Sequence, residues 1–226
     1  MPNLHLPGVM DGKAELRKSL RATLRALSAT AISSASELAC ARAATLVGPA
    51  TAVCVYLAMP KGECDTTPLL DSLFAAGDKR VFVPRVEGDS RHEMRMLHVP
   101  AAADLKSYPR SKWGIPEPTD DQAATMEDGL ASAAIDCVIV PGVAFDSRGL
   151  RMGQGKGFYD TWLTKLSEAR AARGLPPART IGLALSENFV ERVPVDAHDV
   201  PLDYVCLPDR LVTREGLETA SDGAWA

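Results

Sequence analysis

Short apolar runs alternate with longer segments of helical periodicity along most of this chain, and this alternation constrains the fold more than any other feature. Runs rich in β-branched residues predict buried strands over 51–57, 80–86, 135–141 and 180–185. Segments with apolar residues at helical spacing lie between several of these runs. Strands that alternate with helices favour a largely parallel sheet covered by helices on both faces. We therefore expect a three-layer α/β/α fold.

Local signals set the expected bounds of the helices. A capping box formed by Ser34 and Glu37 predicts the start of the second helix. In the third helix, Pro68 suits the first turn and Gly77 suits the C-terminal cap. The expected helices span 13–27, 34–47, 67–76 and 158–173.

The remaining segments are less regular. Further strands are expected over 94–99 and 204–207, and the second of these is expected to be the last strand of the chain. The polar, Pro-rich segment 101–130 predicts a long loop with room for a short helix, and long loops in compact domains are often functional. The tail over about 215–226 is rich in small and polar residues and is expected to fray.

Composition and charge argue against several classes of protein. A length of 226 residues suits one domain, and 25 Lys and Arg against 29 Asp and Glu give a net charge of −4. This balance offers no general attraction to nucleic acid or to an anionic membrane. No apolar run reaches the length of a spanning helix, and the first twelve residues lack a secretory signal. The basic stretch 13–25 has the superficial character of a transit peptide.

The five cysteines argue against a zinc site or a disulfide framework. Their closest spacing is ten residues, and no two of them form a CxxC pair. Three of them, Cys54, Cys137 and Cys206, lie in apolar strand-like runs, where a reduced cysteine behaves as a small hydrophobic residue. We expect a reducing compartment, most simply the cytoplasm, with a mitochondrial location left open.

A glycine-rich loop joins the predicted strand at 135–141 to the helix that begins near 158. Gly153, Gly155 and Gly157 alternate in it, with Arg151 and Lys156 among them. Backbone amides of such a loop can approach phosphate oxygens closely, because no Cβ stands in the way. The two cations add positive charge, and the N-terminus of the following helix points to the same place.

Known nucleotide-binding loops do not fit this stretch. A Walker A loop needs Gly where Leu150 stands and Ser or Thr where Gly157 stands, and the dinucleotide pattern fails at Phe158. From the residues alone, phosphate binding and a solvated surface loop both stay open.

The ordered motifs resemble one enzyme family over about residues 13–212. The central motif consists of Pro141, Gly142, Ala144, Phe145, Asp146, Gly149, Arg151, Gly153, Gly155, Gly157, Tyr159 and Asp160. Shorter matches lie around it at Lys13 and Arg17, 56–59, 62–66, 84–85, 113–118, 193–194, 198–199 and 202–203. Together they resemble the 5-formyltetrahydrofolate cyclo-ligase family, also called the methenyltetrahydrofolate synthetases.

This resemblance implies a fold and a reaction. The fold is a single domain over 1–226 with a Rossmann-like central sheet. Its architecture is like that of sugar isomerases and CoA transferases. The reaction is the ATP- and Mg²⁺-dependent cyclisation of 5-formyltetrahydrofolate to 5,10-methenyltetrahydrofolate, with release of ADP and phosphate, through a phosphorylated formyl oxygen. The expected partners are these small molecules, without nucleic acid or membrane, and the expected state is a monomer.

The resemblance also implies site residues. Arg151 and Lys156 would be catalytic, and Asp160 and Asp199 would hold Mg²⁺. The substrate would contact Met59, Glu63 and Tyr159. ATP would be bound by Lys13, Arg17, Trp113, Arg151, Gly153, Gln154, Gly155, Lys156 and Gly157. The match also implies that the basic stretch 13–25 is part of the mature fold rather than a transit peptide.

Several of these residues have a second interpretation. The Lys13 and Arg17 pair can be a solvated helix face, and Asp160 can simply stabilise a helix N-terminus. Asp199 can be a turn residue, Met59 a core residue, and Trp113 an anchor for its loop. We do not expect His198 to act as a catalytic base.

Two departures from the family pattern leave room for other functions. Gln154 stands where many members carry Arg, which removes one phosphate contact, and Lys61 is an extra residue in the substrate loop. The alternatives are a catalytically inactive folate- or nucleotide-binding protein of the same fold, and a sugar-phosphate isomerase-like enzyme, because a fold does not fix a function.

Overall fold

A computed structural model describes residues 12–88, 90 and 93–214. Its main feature is a seven-stranded sheet with the strand order β3-β2-β1-β4-β7-β8-β9, accompanied by a separate hairpin of β5 and β6. The strands are β1 Ala52–Val55, β2 Arg80–Val86, β3 Met94–Val99, β4 Cys137–Val140, β5 Ala144–Phe145, β6 Arg151–Met152, β7 Arg179–Leu183, β8 Tyr204–Cys206 and β9 Leu211–Thr213.

The centre of the sheet is parallel, as the alternation of strands and helices predicts. The β1–β2, β1–β4, β4–β7 and β7–β8 pairs are parallel, with Cys54 opposite Val138 and Ile139 opposite Ile181. The outer pairs β2–β3 and β8–β9 are antiparallel. All residues of β1 and β4 are buried, which is typical of parallel strands that are covered on both faces.

Helices cover both faces of the sheet. The helices are α1 Lys13–Ala26, α2 Ala29–Val47, α3 Thr67–Ala76, α4 Ala102–Ser107, α5 Asp120–Thr125, α6 Gly129–Ser132 and α7 Phe158–Ala171, with a 3₁₀ turn at Ser186–Asn188. Successive residues of β1 point to opposite faces. Val53 joins a core with residues of α2 and α3, whereas Cys54 joins a core with Trp162 of α7. The three-layer expectation is confirmed.

The second helix begins earlier than the capping box at Ser34 predicts. Ser28 is the N-cap, because its extended backbone lets its Oγ accept a hydrogen bond from the amide of Ala31 at 3.1 Å. Ser34 therefore lies inside α2. The predicted cap at Gly77 is confirmed, since this residue ends α3 in the left-handed conformation with φ 65°.

The other differences between the predicted and the observed elements involve short helices and strands. The segment 101–130 holds three short helices rather than one long loop, and α5 begins at a capping box formed by Thr119 and Gln122. β8 is not the last strand, because β9 pairs with it in an antiparallel hairpin. The tail expected to fray begins at 215 and lies outside the described residues.

The central motif packs tightly beneath the glycine-rich loop. A Cβ on Gly142 or on Gly182 would lie 2.6 Å from the ring of Phe145, so both glycines are needed for that ring to fit. Asp146 is fully buried and accepts hydrogen bonds from Arg148 and from the amides of Leu150 and Val193. The motif thus fixes the β5–β6 hairpin and the segment near 193.

The cysteines are buried and unpaired, as the sequence predicts. All five are buried and carry free thiols. Burial raises the pKa of Cys137 and of Cys206 to about 12, so both thiols stay protonated and unreactive. Within the described ranges, no helix is long and apolar enough to cross a membrane.

Candidate functional site

Three loops meet beyond the carboxyl ends of neighbouring parallel strands. The loop after β1 carries Glu63, the segment after β4 carries the glycine-rich loop, and the segment after β7 carries Asp199. Because β1, β4 and β7 are adjacent and parallel, these loops leave the same edge of the sheet. Ligands of open α/β sheets bind at this edge.

The glycine-rich loop spans 153–157 between β6 and α7. Gly155 and Gly157 have φ of 99° and 71°, a backbone region that side chains with a Cβ rarely adopt. A Cβ on Gly155 would point at the guanidinium of Arg17, at 3.5 Å from its Cζ. The loop therefore forms a cradle of exposed backbone that faces a cation and the N-terminus of α7.

One face of α1 lies across this cradle. Lys13 Nζ contacts Asp196 Oδ2 at 2.8 Å and Asp199 Oδ2 at 2.5 Å, and Arg17 Nε donates to the carbonyl of Gly153 at 3.0 Å. The spacing of four residues puts Lys13 and Arg17 on one face, as predicted. The pair is therefore not a freely solvated surface.

Arg151 and Asp160 form a partly buried ion pair beside the cradle. Arg151 Nη2 lies 2.9 Å from Asp160 Oδ1, which also accepts a hydrogen bond from the amide of Val200 at 3.2 Å. The guanidinium of Arg151 lies 5.6 Å from the centre of the Tyr159 ring, within the range of a cation–π contact. Arg151 is only 5% exposed, and its Nη1 lies 3.2 Å from the position that a Cβ on Gly153 would take, so its side chain lies against the start of the loop.

Lys156 and Gln154 lie on the outer side of the loop. Lys156 is exposed, and it makes no hydrogen bond or ion pair with any residue that the structure describes. Its ammonium is therefore available to an anionic ligand. Gln154 is also exposed and is bound by Arg21, which is a contact that the sequence does not predict.

The two aspartates predicted to hold Mg²⁺ lie close to the cradle, and their chemistry fits the ion. Each uses one carboxylate oxygen within the protein, Asp160 toward Arg151 and Asp199 toward Lys13. The other oxygen of each, Oδ2 of Asp160 and Oδ1 of Asp199, accepts no hydrogen bond from the described parts of the chain. Hard carboxylate oxygens of this kind are the ligands that Mg²⁺ prefers.

Asp199 also belongs to a second grouping. One possible ligand atom from each of Asp196, His198 and Asp199 lies within 4.8 Å of the others. Burial would lower the pKa of Lys13, but hydrogen bonds to Asp196 and Asp199 raise it above its ordinary value, so this lysine stays charged. Asp196 is thus a partner of Lys13 that the sequence did not reveal.

Glu63 is half-buried in the loop after β1. Its Oε2 accepts a hydrogen bond from the amide of Met59 at 3.0 Å. Burial raises the pKa of Glu63, while the hydrogen bond from the amide of Met59 offsets part of that rise. The carboxylate is therefore held in one orientation and is poorly solvated.

Tyr159 and Met59 are both half-buried beside Glu63. The hydroxyl of Tyr159 is buried and has no hydrogen-bond partner among the described residues. Burial raises the pKa of Tyr159, so its hydroxyl keeps its proton and can donate it. A buried hydroxyl without a partner is typical of a site that awaits a polar ligand.

Trp113 lies in the 111–118 segment, next to Gly114, which packs on Pro60 of the Glu63 loop. It is 46% exposed and lines a cavity of about 380 Å³ together with Val86, Glu87, Gly88, Ser111, Lys112 and Glu117. The adjacent Gly114 packs so closely on Pro60 that a Cβ would lie 3.0 Å from Pro60 Cγ. The structure therefore puts Trp113 near the predicted substrate residues, with Lys112 Nζ 4.6 Å from the centre of its ring.

The chain is similar to proteins of one known family over most of its length. Residues 9–208 match the model of the 5-formyltetrahydrofolate cyclo-ligase family. The mouse 5-formyltetrahydrofolate cyclo-ligase is 30% identical over 203 residues, which cover 89% of this chain and 96% of the mouse protein. The Escherichia coli K12 5-formyltetrahydrofolate cyclo-ligase is 33% identical over 159 residues, 70% of this chain and 79% of its own.

A solved structure agrees with these matches. The NMR structure of Aquifex aeolicus 5,10-methenyltetrahydrofolate synthetase superposes with a TM-score of 0.69 at 28% identity, and it covers 93% of this chain and 98% of its own. Neither alternative function gains support from these relatives. The chain belongs to the 5-formyltetrahydrofolate cyclo-ligase family and is an enzyme of the ligase class.

Proposed function

We propose that this enzyme closes the ring of 5-formyltetrahydrofolate with Mg-ATP and releases 5,10-methenyltetrahydrofolate, ADP and phosphate. The observation that carries the proposal is that the glycine-rich loop and the loop that holds Glu63 pack on the same helix. A Cβ on Gly155 would lie 3.5 Å from Arg17 Cζ, and a Cβ on Gly62 would lie 3.9 Å from Leu24 Cβ, so both loops contact α1. A phosphate cradle and a half-buried carboxylate that suits a pterin ring therefore lie along one helix. A reaction that joins a nucleotide to a folate needs this arrangement.

The nucleotide half of the site consists of the cradle and the cations around it. Gly153, Gly155 and Gly157 offer backbone amides, and Arg17 and Lys156 offer positive charge to the phosphate oxygens. Lys13 would exchange its carboxylate partners for a phosphate when ATP binds, because both kinds of ligand compete for the same ammonium. Phosphoryl transfer depends mainly on such positioning and on electrostatic stabilisation.

The folate half of the site consists of Glu63, Tyr159 and Met59. The edge of the pterin ring is rich in N–H donors, and a fixed carboxylate can accept two of them. The unpaired hydroxyl of Tyr159 supplies a donor nearby, and the side chain of Met59 supplies an apolar wall. Glu63 therefore orients the ring, and Tyr159 and Met59 line its pocket.

The chemistry has two steps. The formyl oxygen attacks the γ-phosphorus of ATP, the bond from this phosphorus to the bridging oxygen breaks, and ADP leaves. The neighbouring folate nitrogen then attacks the activated formyl carbon, loses its proton, and expels inorganic phosphate. Arg151 would stabilise the transferred phosphoryl group from beneath the cradle, while Lys156 would do so from the solvent side.

Asp160 and Asp199 are the residues that would hold Mg²⁺. When bound, the ion would supply positive charge to the phosphate oxygens. Asp160 also keeps Arg151 in place through the 2.9 Å ion pair, so its carboxylate serves the cradle in two ways. Trp113 and Lys112 are assigned to the folate side, because the adjacent Gly114 packs on Pro60 of the Glu63 loop. The cavity that they line would accept the part of the substrate beyond the pterin ring, and the ammonium of Lys112 would pair with a carboxylate of that part.

The proposal also includes a cellular compartment and an oligomeric state for the enzyme. Five free, buried thiols suit a reducing compartment such as the cytoplasm. The proposal treats the enzyme as a monomer, because none of the proposed roles requires a residue from a second copy.

An absorbance assay tests the proposed function. Purified protein is mixed with 5-formyltetrahydrofolate, ATP and Mg²⁺, and the absorbance band of the methenyl product is followed while each component is omitted in turn. The proposal predicts that the band grows only in the complete mixture. Folded protein that forms no product in the complete mixture would refute it, and binding of both ligands without turnover would favour the inactive alternative.

A further inference from the structure

Three cations of helix α1 lie on one stripe of its surface and face the loops of the site. Lys13, Arg17 and Arg21 are spaced four residues apart, which puts them on the same face of the helix. Lys13 contacts two aspartates of the segment after β7, and Arg17 donates to the carbonyl of Gly153. Arg21 is the third cation of this stripe, and the proposed nucleotide site does not include it.

The guanidinium of Arg21 is fixed on the glycine-rich loop by Gln154. Arg21 Nε donates to Gln154 Oε1 at 2.9 Å, and Nη2 donates to the same oxygen and, at 3.3 Å, to the backbone carbonyl of Gln154. The other terminal nitrogen, Nη1, makes no hydrogen bond within the described ranges of the chain. Because a guanidinium has five N–H donors in a fixed fork, Arg21 is held in one place by the loop and keeps donors for a ligand.

The charge around Arg21 points to an anionic ligand. Arg21 is half-buried, and the oxygens that it binds belong to uncharged groups, with no carboxylate among its partners in the part of the chain that the structure describes. Burial and the positive charges of Arg17 and Arg25 lower the pKa of Arg21. An arginine nevertheless keeps its proton in proteins, so the excess positive charge remains and favours an anion at this place.

Arg21 lies between the two halves of the site. One turn before it, Arg17 contacts the glycine-rich loop. One turn after it, Leu24 contacts the loop that holds Glu63, because a Cβ on Gly62 would lie 3.9 Å from Leu24 Cβ. With a rise of about 1.5 Å per residue, Arg21 is displaced along the helix by about 6 Å from Arg17 and by about 4.5 Å from Leu24. The γ-phosphoryl group must pass from one loop to the other, and Arg21 is the cation of α1 between them.

We propose that Arg21 is a catalytic residue that binds the γ-phosphoryl group of ATP during its transfer to the formyl oxygen, and that Gln154 is the positioning residue that holds Arg21 there. This inference rests on the proposed function. The bond from the γ-phosphorus to the bridging oxygen breaks as the bond to the formyl oxygen forms, while N–H groups of Arg21 donate hydrogen bonds to the phosphoryl oxygens. Arg21 keeps its protons throughout, so its contribution is electrostatic.

The binding of two nucleotides tests the contact with the γ-phosphoryl group. Calorimetry measures the Kd of the β,γ-imido analogue of ATP and the Kd of ADP, both with Mg²⁺ and without folate. R21A should weaken binding of the analogue about tenfold and binding of ADP by less than about twofold, since only the analogue carries the γ-phosphoryl group. In steady-state kinetics, kcat of R21A should fall about 100-fold. R25A is a matched control, because it removes the same charge from an exposed position one turn further along α1, and it should leave the ratio of the two Kd values unchanged.

Two further variants separate catalysis from a structural effect. R21K keeps the positive charge but not the fork of donors, so it should restore part of the affinity for the ATP analogue. Q154A removes the side-chain contact but leaves the backbone carbonyl, so it should weaken binding of the analogue about two- to fivefold. In an R21A background, Q154A should have almost no further effect, because Gln154 acts through Arg21. A full effect of Q154A in that background would overturn its assignment as a positioning residue. Circular dichroism and thermal unfolding of each variant check the fold.

Three results for R21A would overturn the role of Arg21. Binding of the ATP analogue as tight as that of the wild type would remove Arg21 from the nucleotide site. Equal weakening of the analogue and of ADP would put Arg21 on the other phosphates, and weakening of 5-formyltetrahydrofolate alone would put it on the carboxylates of the folate. A wild-type protein that binds neither nucleotide would instead overturn the proposed function, and with it this inference. The wild-type titrations are therefore performed first, so that the two failures are distinguished.

Discussion

Lys13 Nζ lies 2.5 Å from Asp199 Oδ2, although 186 positions separate these residues in the sequence. The contact ties the start of α1 to the segment after β7 and closes one side of the glycine cradle. Asp196 shares the same ammonium at 2.8 Å. The lysine is thus held at the cradle by acidic partners that an incoming phosphate must replace.

Replacing Lys13 by alanine should therefore weaken ATP binding. Loss of a charge-assisted hydrogen bond to a phosphate predicts an increase in the KM for ATP of about 10- to 100-fold, with a folate Kd close to that of the wild type. K18A is a matched control, because Lys18 is an exposed lysine of the same helix. Equal effects of K13A and K18A on the KM for ATP would contradict the assignment.

Gly155 offers a test of the cradle itself. G155A places a Cβ at φ 99° that points toward Arg17, so it should raise the KM for ATP about tenfold. G174A carries a similar backbone strain at φ 67° but has open space around its Cβ. Both variants should lower Tm by about 2–4 °C, and only G155A should affect ATP. Unimpaired ATP kinetics in G155A would show that phosphate does not enter the cradle.

Asp160 tests the metal assignment. D160N keeps the size of the side chain but removes the charge that Mg²⁺ would require, so kcat should fall by at least about 100-fold and the Mg²⁺ concentration for half-maximal rate should rise. Turnover is measured across a Mg²⁺ titration, and thermal unfolding reports whether the Arg151 contact still supports the fold. A folded D160N protein with wild-type Mg²⁺ dependence would remove Asp160 from the metal site.

The charged carboxylate of Glu63 should lower the stability of the folded protein, although folate binding depends on it. Its pKa in the folded protein is raised above the ordinary value of 4.5, mainly by burial, so the folded state holds this proton more tightly than the unfolded state. This residue therefore costs stability as the pH rises above about 4.5. E63Q removes that cost, and its Tm should exceed that of the wild type by about 2–4 °C at neutral pH but not at pH 4.

The same substitution should weaken folate binding, because a neutral amide accepts hydrogen bonds less strongly than a carboxylate. Thermal scans at several pH values and folate titrations measure the two effects. A Tm advantage of E63Q that did not change with pH would show that ionisation of Glu63 is not its cause. Stronger impairment of ATP binding than of folate binding would mean that the pterin site lies elsewhere.

The parts of the fold that follow from local patterns were predictable. The β2 and β3 bounds are as predicted, because Arg80–Val86 and Met94–Val99 are apolar runs that end at turn residues. The start of α2 was not predictable, since Ser28 and Ser34 both precede Ala-rich sequence. Only the backbone conformation shows that Ser28 is the cap. The two-residue strands β5 and β6 are too short to show any periodicity.

In the candidate site too, some contacts were predictable from the sequence and others were not. The four-residue spacing of Lys13 and Arg17 predicts a shared helix face, and the structure brings that face to the loop. The contact between Arg21 and Gln154 has no signal in the sequence, because it joins two separate segments through side chains. Contacts of this kind depend on how the loops meet beyond the sheet.

Transfer of the formyl oxygen tests the central claim most directly. The enzyme is given 5-formyltetrahydrofolate labelled with ¹⁸O in the formyl group, together with Mg-ATP, and the released phosphate is examined by mass spectrometry. Ring closure through a phosphorylated formyl oxygen predicts that one ¹⁸O appears in phosphate for each methenyl product formed. Methenyl product accompanied by unlabelled phosphate would contradict the account, because the oxygen would then have left by a route that does not involve phosphoryl transfer.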